Sequence, residues 1–153
     1  MDPKQTASRL ARIAATLVLA SIGAVRADCF DAAASRHEVP SELLRAIACV
    51  ESNFDHHAYN DNRNGSYDIG IMQINSIWLP ELSRFDIVED HLWDMCTNVH
   101  VGAWVLSQKI AAFGYTARAI GAYNAGLRDT PTREYLRYEY AKKVYRAVDH
   151  GCE

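Results

Sequence analysis

Between Cys49 and Asn75 the chain reads CVESNFDHHAYNDNRNGSYDIGIMQIN, and the side chains with chemical capacity gather there. One carboxylate, Glu51, stands where a segment of helical periodicity gives way to a polar, Asn/Gly-rich loop. The negative end of a helix dipole disfavours an ionised carboxylate, and apolar neighbours desolvate it further, so both push its pKa upward. A Glu that keeps its proton near neutral pH is a usable general acid. A frayed, exposed Glu is the competing reading from this helix alone. Gln73 sets an amide among apolar residues, which calls for a hydrogen-bond partner such as a sugar hydroxyl or acetamido group. Met72 beside it fits core packing as well as a ligand contact. Tyr123 and Asn124 close a later helical segment and offer a hydroxyl and an amide on a rigid element.

Positioning these groups falls to helices. Leu43, Leu44, Ile47 and Val50 recur at spacings of three and four after Val39-Pro40-Ser41, which predicts a helix from about Ser41 with Glu51 on its apolar side. Cys29 to His37 is a short helix-compatible opening. The Asn/Gly content from Phe54 to Asp68 reads as turn chemistry, and Ile69 to Asn75 as a short strand or turn in which Gly70 admits a close backbone approach. Ser76 to Phe85 reads as a short helix interrupted by Pro80. Asp90 to Phe113 reads as the longest helix, its stripe running Leu92, Cys96, Val99, Ala103, Leu106 and Ile110, with His100 and Trp104 packing beside it. Thr116 to Asn124 carries the small residues Ala117, Ala119, Gly121 and Ala122, suited to close helix packing. Pro131 starts a last helix to about Asp149, with Tyr138 or Tyr140 and Val144 inward and Arg133, Arg137, Lys142 and Lys143 in water. The fold class expected is mainly α, with at most a small β element near the polar loop.

The 153 residues make one domain. Lys4, Arg9 and Arg12 precede an apolar run from Ile13 to Ala24, and Val25-Arg26-Ala27 fits a small-x-small cleavage site, so residues 1–27 are expected to be a signal peptide and residues 28–153 the mature domain. The apolar run is too short for a membrane span, so no stable membrane insertion is expected after cleavage, and the product is read as a periplasmic or secreted monomer. Removing four bases and one acid from the 16 and 19 of the whole chain leaves a net charge of about −6, which argues against a nucleic-acid partner. The basic excess after Tyr115 reads as solvated helix faces. Cys29, Cys49, Cys96 and Cys152 all lie in the exported part, where disulfides form, and the sequence leaves their pairing open. Asn60, Asn62, Asn64 and Gly65 match part of a calcium loop, yet its final ligand place is Ile71. No metal or cofactor is expected.

Glu51-Ser52, then Gly70-Ile71-Met72-Gln73, then Ala122-Tyr123-Asn124, in that order, resemble the motifs of the soluble lytic transglycosylase family. The resemblance covers essentially the whole mature sequence and implies a lysozyme-like helical domain. Ile71 stands where leucine is usual, and Asn-Gly-Ser-Tyr-Asp-Ile replaces the commoner small-residue pattern before Gly70. That variant, the short length and the Tyr140-Ala-Lys-Lys-Val-Tyr ending are similar to single-domain transglycosylases associated with type III or type IV secretion systems. The resemblance implies Glu51 as sole acid and base on the bond between N-acetylmuramic acid and N-acetylglucosamine, leaving a 1,6-anhydro end. It also implies that Ser52, Met72, Gln73, Tyr123 and Asn124 line the groove for peptidoglycan glycan strands, that Tyr140 approaches Glu51, and that Cys29 pairs with Cys96, leaving Cys49 to Cys152. A two-carboxylate hydrolase needs a second acid across the sugar, and the spacing of Asp55, Asp61 and Asp68 selects none. The rival readings are a hydrolytic muramidase and a non-catalytic wall-binding component of a secretion apparatus.

Overall fold

The computed structural model describes residues 28–152, so the signal-peptide reading of residues 1–27 lies outside the described residues. Two helices open the domain, α1 (Asp28–His37) and α2 (Ser41–Ser52). Pro40, extended at φ −65° and ψ 135°, leads into α2, and Asn53 ends it in the left-handed conformation with its N–H on the carbonyls of Ala48 and Cys49. A three-stranded antiparallel sheet follows, in the order β1 (Tyr59–Asp61), β2 (Tyr67–Ile69), β3 (Ile74–Asn75). Its register pairs Tyr59 with Ile69 and Asp68 with Asn75. Ile69 to Asn75 is therefore both strand and turn: β2 ends at Ile69, Gly70 to Gln73 turn over, and β3 resumes at Ile74.

The stretch from Ser76 to Phe85 is three short pieces: a 3-10 turn Ser76–Trp78, α3 (Leu79–Leu82) and a 3-10 turn Ser83–Phe85. Pro80 sits in the first turn of α3, so it starts that helix where an interruption was expected. The expected helix from Asp90 is likewise divided into a 3-10 segment Glu89–Trp93 and α4 (Met95–Phe113). Asp94 makes the break, because in an extended conformation its side chain caps α4 by accepting from Thr97 N at 2.8 Å. Two more helices close the chain, α5 (Ala117–Ala125) and α6 (Pro131–His150), capped by Thr116 and Thr130. Among the described residues α6, with 20 residues against 19, and not α4, is the longest helix.

One core unites these elements. Leu44 and Ile47 of α2, Ile69 to Met72, Ile74, Leu92, Val99 and Leu106, and Val144 of α6 are all fully or nearly fully buried. Cys29–Cys96 joins α1 to α4 and Cys49–Cys152 joins α2 to the tail after α6, with Cα atoms 5.1 and 5.5 Å apart. Their sequence separations of 67 and 103 give each crosslink an entropic effect of roughly 4–5 kcal/mol at most.

The last helix departs from expectation at one position. Arg137 is not in water but 1% exposed. Its Nε and Nη2 donate to the Gly126 carbonyl at 3.0 and 2.8 Å, Nη2 also to Arg128 O at 2.7 Å, and it pairs with Glu134. A guanidinium carries five donors in a planar fork, and here they satisfy carbonyls orphaned beyond the end of α5. The same contact draws α5 and α6 together at Gly121, where a Cβ would lie 2.2 Å from Arg137 O. Gly121→Ala is therefore expected to cost about 3 kcal/mol or more, read as a lower midpoint in urea unfolding. A midpoint equal to the wild type's would contradict this account of the α5–α6 packing.

Candidate active site

Glu51 occupies the last turn of α2, and the chain folds around it from three sides. From α6, Tyr140 donates its hydroxyl to Glu51 Oε1 at 2.5 Å across 89 residues of sequence. From α5, Tyr123 lies nearly parallel to Tyr140, with ring centroids 6.5 Å apart, and donates to Met72 O at 2.8 Å. From the sheet comes Asp68, whose charge bears on Glu51. Burial pushes the Glu51 carboxyl up to about 7; the Tyr140 hydrogen bond and Lys143 work against this, and Asp68 adds to it. The tyrosines are driven well above the ordinary phenol value, first by burial and then by Glu51, so both stay protonated donors.

The floor of the site is the turn Gly70 to Gln73, and a residue that the sequence reading passed over holds it there. Asn98 of α4 is 1% exposed. Its Oδ1 accepts from Met72 N at 2.9 Å, and its Nδ2 donates to Ile69 O at 2.9 Å and Leu92 O at 2.8 Å. Gly70, at φ 76°, lets this amide in, since a Cβ there would stand 2.3 Å from Asn98 Nδ2. Ser52 fastens the same turn to α2, donating to Ile71 O at 2.7 Å.

The turn faces a groove of about 420 Å³ lined by Glu51, Asp68, Gln73, Asn75, Trp78, Lys109, Tyr123, Asn124 and Arg133, among others. Of the residues expected to line it, Glu51, Gln73, Tyr123 and Asn124 are there. Three are not. The Met72 side chain is fully buried in the core, where a Cβ at Gly102 would lie 2.8 Å from it. Ser52 and Tyr140 stand behind the lining and act on it through the hydrogen bonds already given. Gln73, at φ 47°, spends both amide hydrogens on backbone carbonyls, Gly70 O at 3.0 Å and Ala58 O at 3.2 Å, which leaves its oxygen as an acceptor toward the groove.

Asp68 is the carboxylate that spacing alone did not select. Asn62 Nδ2 donates to its Oδ2 at 2.9 Å, Asn60 Nδ2 to the same oxygen at 3.2 Å, and Asn75 Nδ2 to its Oδ1 at 2.7 Å. Asn60 and Asn62 of the loop thus serve a carboxylate, while Asn64 makes a turn, its Oδ1 accepting from Ser66 N at 2.9 Å. The positive φ angles of this loop fall on Phe54, Arg63 and Gly65. Only the β1–β2–β3 pairing brings these side chains together, so no linear pattern marked them.

A helical domain with one protonatable Glu over a polar groove agrees with the comparisons. The model of the transglycosylase SLT domain matches residues 28–147. The chain belongs to this family. As an SLT domain it is a lytic transglycosylase, an enzyme of peptidoglycan. Relatives include the invasion protein IagB of Salmonella typhimurium strain SL1344, 44% identical over 128 residues that span 83% of this chain and 79% of that protein. Protein IpgF of Shigella flexneri is 43% identical over 122 residues, 79% of each chain. Among solved structures, that of an inactive mutant of lytic transglycosylase Slt from Pseudomonas aeruginosa aligns with a TM-score of 0.62 at 25% identity. The alignment covers 78% of this chain and 22% of that longer chain, in keeping with the lysozyme-like fold.

The raised acid has a signature in stability. Folded Glu51 binds its proton more tightly than the unfolded side chain does, so its favourable contribution is complete below pH 4.5 and is lost as pH rises to about 7. Glu51→Gln keeps an acceptor for Tyr140 and carries no charge. The variant is expected to gain on the wild type by roughly 2–3 kcal/mol between pH 4 and pH 8, measured as the difference in unfolding free energy at the two pH values. A difference that does not change with pH would mean that Glu51 is not buried as an acid.

Proposed function

We propose that Glu51 is the sole acid and base of a non-hydrolytic cleavage of the β-1,4 bond between N-acetylmuramic acid and N-acetylglucosamine. Protonated Glu51 gives its proton to the glycosidic oxygen, the bond from that oxygen to muramoyl C1 breaks, and N-acetylglucosamine leaves with a free 4-hydroxyl. Glu51, now a carboxylate, takes the proton of the muramoyl C6 hydroxyl, whose oxygen bonds to C1. The product is a 1,6-anhydro end, Glu51 is again protonated, and no water is consumed. The observation that carries this reading is the burial of Glu51, which holds its pKa at about 7 and so lets one group serve as acid and then as base near neutral pH.

In this reading Gln73, Tyr123 and Asn124 contact the glycan, while Ser52, Met72 and Tyr140 position the turn and the acid. The Asp68 carboxylate supplies negative charge near the oxocarbenium-like centre and helps keep Glu51 protonated. The same residue favours a second reading, hydrolysis to a reducing end, in which Asp68 is the partner carboxylate of a two-acid site. Residues 1–27 act as the export signal, cleaved after Ala27, and the mature domain works as a monomer in the periplasm or outside the cell. Its similarity to an invasion protein supports local wall opening for a secretion apparatus as its cellular task.

Mass spectrometry of soluble muropeptides released from peptidoglycan by residues 28–153 separates these readings. Anhydro ends are expected from the wild type, and a loss of roughly 10²–10⁴-fold in rate from Glu51→Gln. Reducing ends that disappear in Asp68→Asn would establish the hydrolase instead, and a folded protein that pellets with the wall but releases nothing would leave a binding component. Since the active acid is the protonated form, the rate is expected to fall as pH rises through about 7. Tyr140→Phe removes a hydrogen bond that favours the ionised form, so this fall should move to higher pH. A shift to lower pH would contradict the role given to Tyr140.

A further inference from the structure

Lys109, in the last turns of α4, is 5% exposed and plays no part in the chemistry above. Its ammonium lies 4.7 Å from the centroid of the Trp78 ring. It makes no hydrogen bond or ion pair among the described residues. No unpaired side-chain nitrogen or oxygen is completely enclosed among them either, so Nζ keeps some contact with solvent. Burial alone draws its pKa downward, with no charged neighbour contributing. A cation on a long apolar stem is costly to bury without a counter-ion; the Trp78 face offsets part of that cost, and an anion would offset more.

Lys109 lies where two cavities meet. One is the groove that holds Glu51. The other, of about 500 Å³, runs past Trp78 between Pro80, Trp104, Gln108 and Leu127. Glu81 also borders the second cavity, but its carboxylate is engaged by Arg84 at 2.9 Å. Arg133, a further cation of the groove lining, donates to Ala125 O at 3.0 Å. The groove thus carries acids at one place, Glu51 and Asp68, and a buried, unpaired cation at another.

A neutral chain of N-acetylated sugars offers such a cation hydroxyl and carbonyl acceptors but no counter-charge. The carboxylates of peptidoglycan hang from the muramoyl side chain, on the stem peptide or, where the peptide is missing, on the lactyl group itself. We propose that Lys109 is a specificity-determining residue that binds a carboxylate on the muramoyl side chain, with the second cavity receiving the rest of that substituent. This rests on peptidoglycan glycan being the ligand of the groove.

The test is calorimetric binding to the Glu51→Gln protein, which reads recognition apart from turnover. Three muropeptide tetrasaccharides serve as probes: one with free stem carboxylates, one with those carboxylates converted to carboxamides, and one stripped to the lactyl carboxylate. A charge-assisted contact predicts that amidation weakens binding by about tenfold or more, and that adding Lys109→Met abolishes this discrimination. Tight binding of the stripped probe would support the proposal with the lactyl group as the source, and weak binding would place the source on the peptide. Equal affinity for the free and amidated probes, together with weak binding of the stripped one, would overturn the proposal, and so would discrimination that survives Lys109→Met. The comparison of probes needs no Lys109 variant to fold. A wild-type protein that cuts no glycan yet discriminates the carboxylate would refute the catalytic reading and leave Lys109 standing.

Discussion

The hydrogen bond from Tyr140 to Glu51 is the contact on which the site turns. It closes the end of α2 against α6 and encloses a carboxyl group that water would otherwise solvate. Enclosure raises the affinity of Glu51 for its proton, while the phenol supplies a donor for the ionised form, so the two effects oppose each other. The balance leaves the group at about 7, where losing and regaining a proton near neutrality are both accessible. The disulfide from Cys49, two residues before Glu51, to Cys152 just beyond α6 fixes the same helix pair covalently. One of the two crosslinks thus reinforces the helix pair that holds the acid.

The other half of the site is held from behind. Asn98 satisfies three backbone groups of the surrounding loops with one side chain, and Ser52 and Tyr123 hold Ile71 and Met72 by their carbonyls. Removing any such partner strands a buried polar group, which costs about 1–3 kcal/mol. The turn can therefore present Gln73 to the groove without itself forming a helix or strand. Met72 contributes as a plug beneath it and as a carbonyl, not as a surface.

Helices with clear periodicity were readable in the sequence: α2 starts where Pro40-Ser41 indicates, α5 lies within a residue of its expected bounds, α6 starts at Pro131, and Glu51 falls on the apolar side as its spacing implied. The site residues that carry motifs, Glu51, Gln73, Tyr123 and Asn124, do converge on one groove. What stayed illegible depends on contacts between distant segments. Asp94 looked like an ordinary helical residue until its cap on Thr97 ended one segment and began another. Arg137 looked like a solvated base because nothing local reveals the carbonyls of Gly126 and Arg128 that bury it. Asp68, Asn98 and Lys109 acquire meaning only when the sheet, the turn and α4 are assembled around them, and sequence spacing carries no record of that assembly.

The groove then has a simple electrostatic order, with a protonatable acid beside a fixed carboxylate and a buried cation elsewhere along the wall. The claim on which the rest depends is that Glu51 holds its proton close to neutrality. The most direct test is a titration of the Glu51 side-chain carboxyl carbon by NMR in carbon-13-labelled protein, with Glu51→Gln used to assign the resonance. The account predicts a midpoint near 7. A midpoint at the ordinary value of 4.5 would contradict it, since Glu51 would then be ionised throughout the neutral range and have no proton to give.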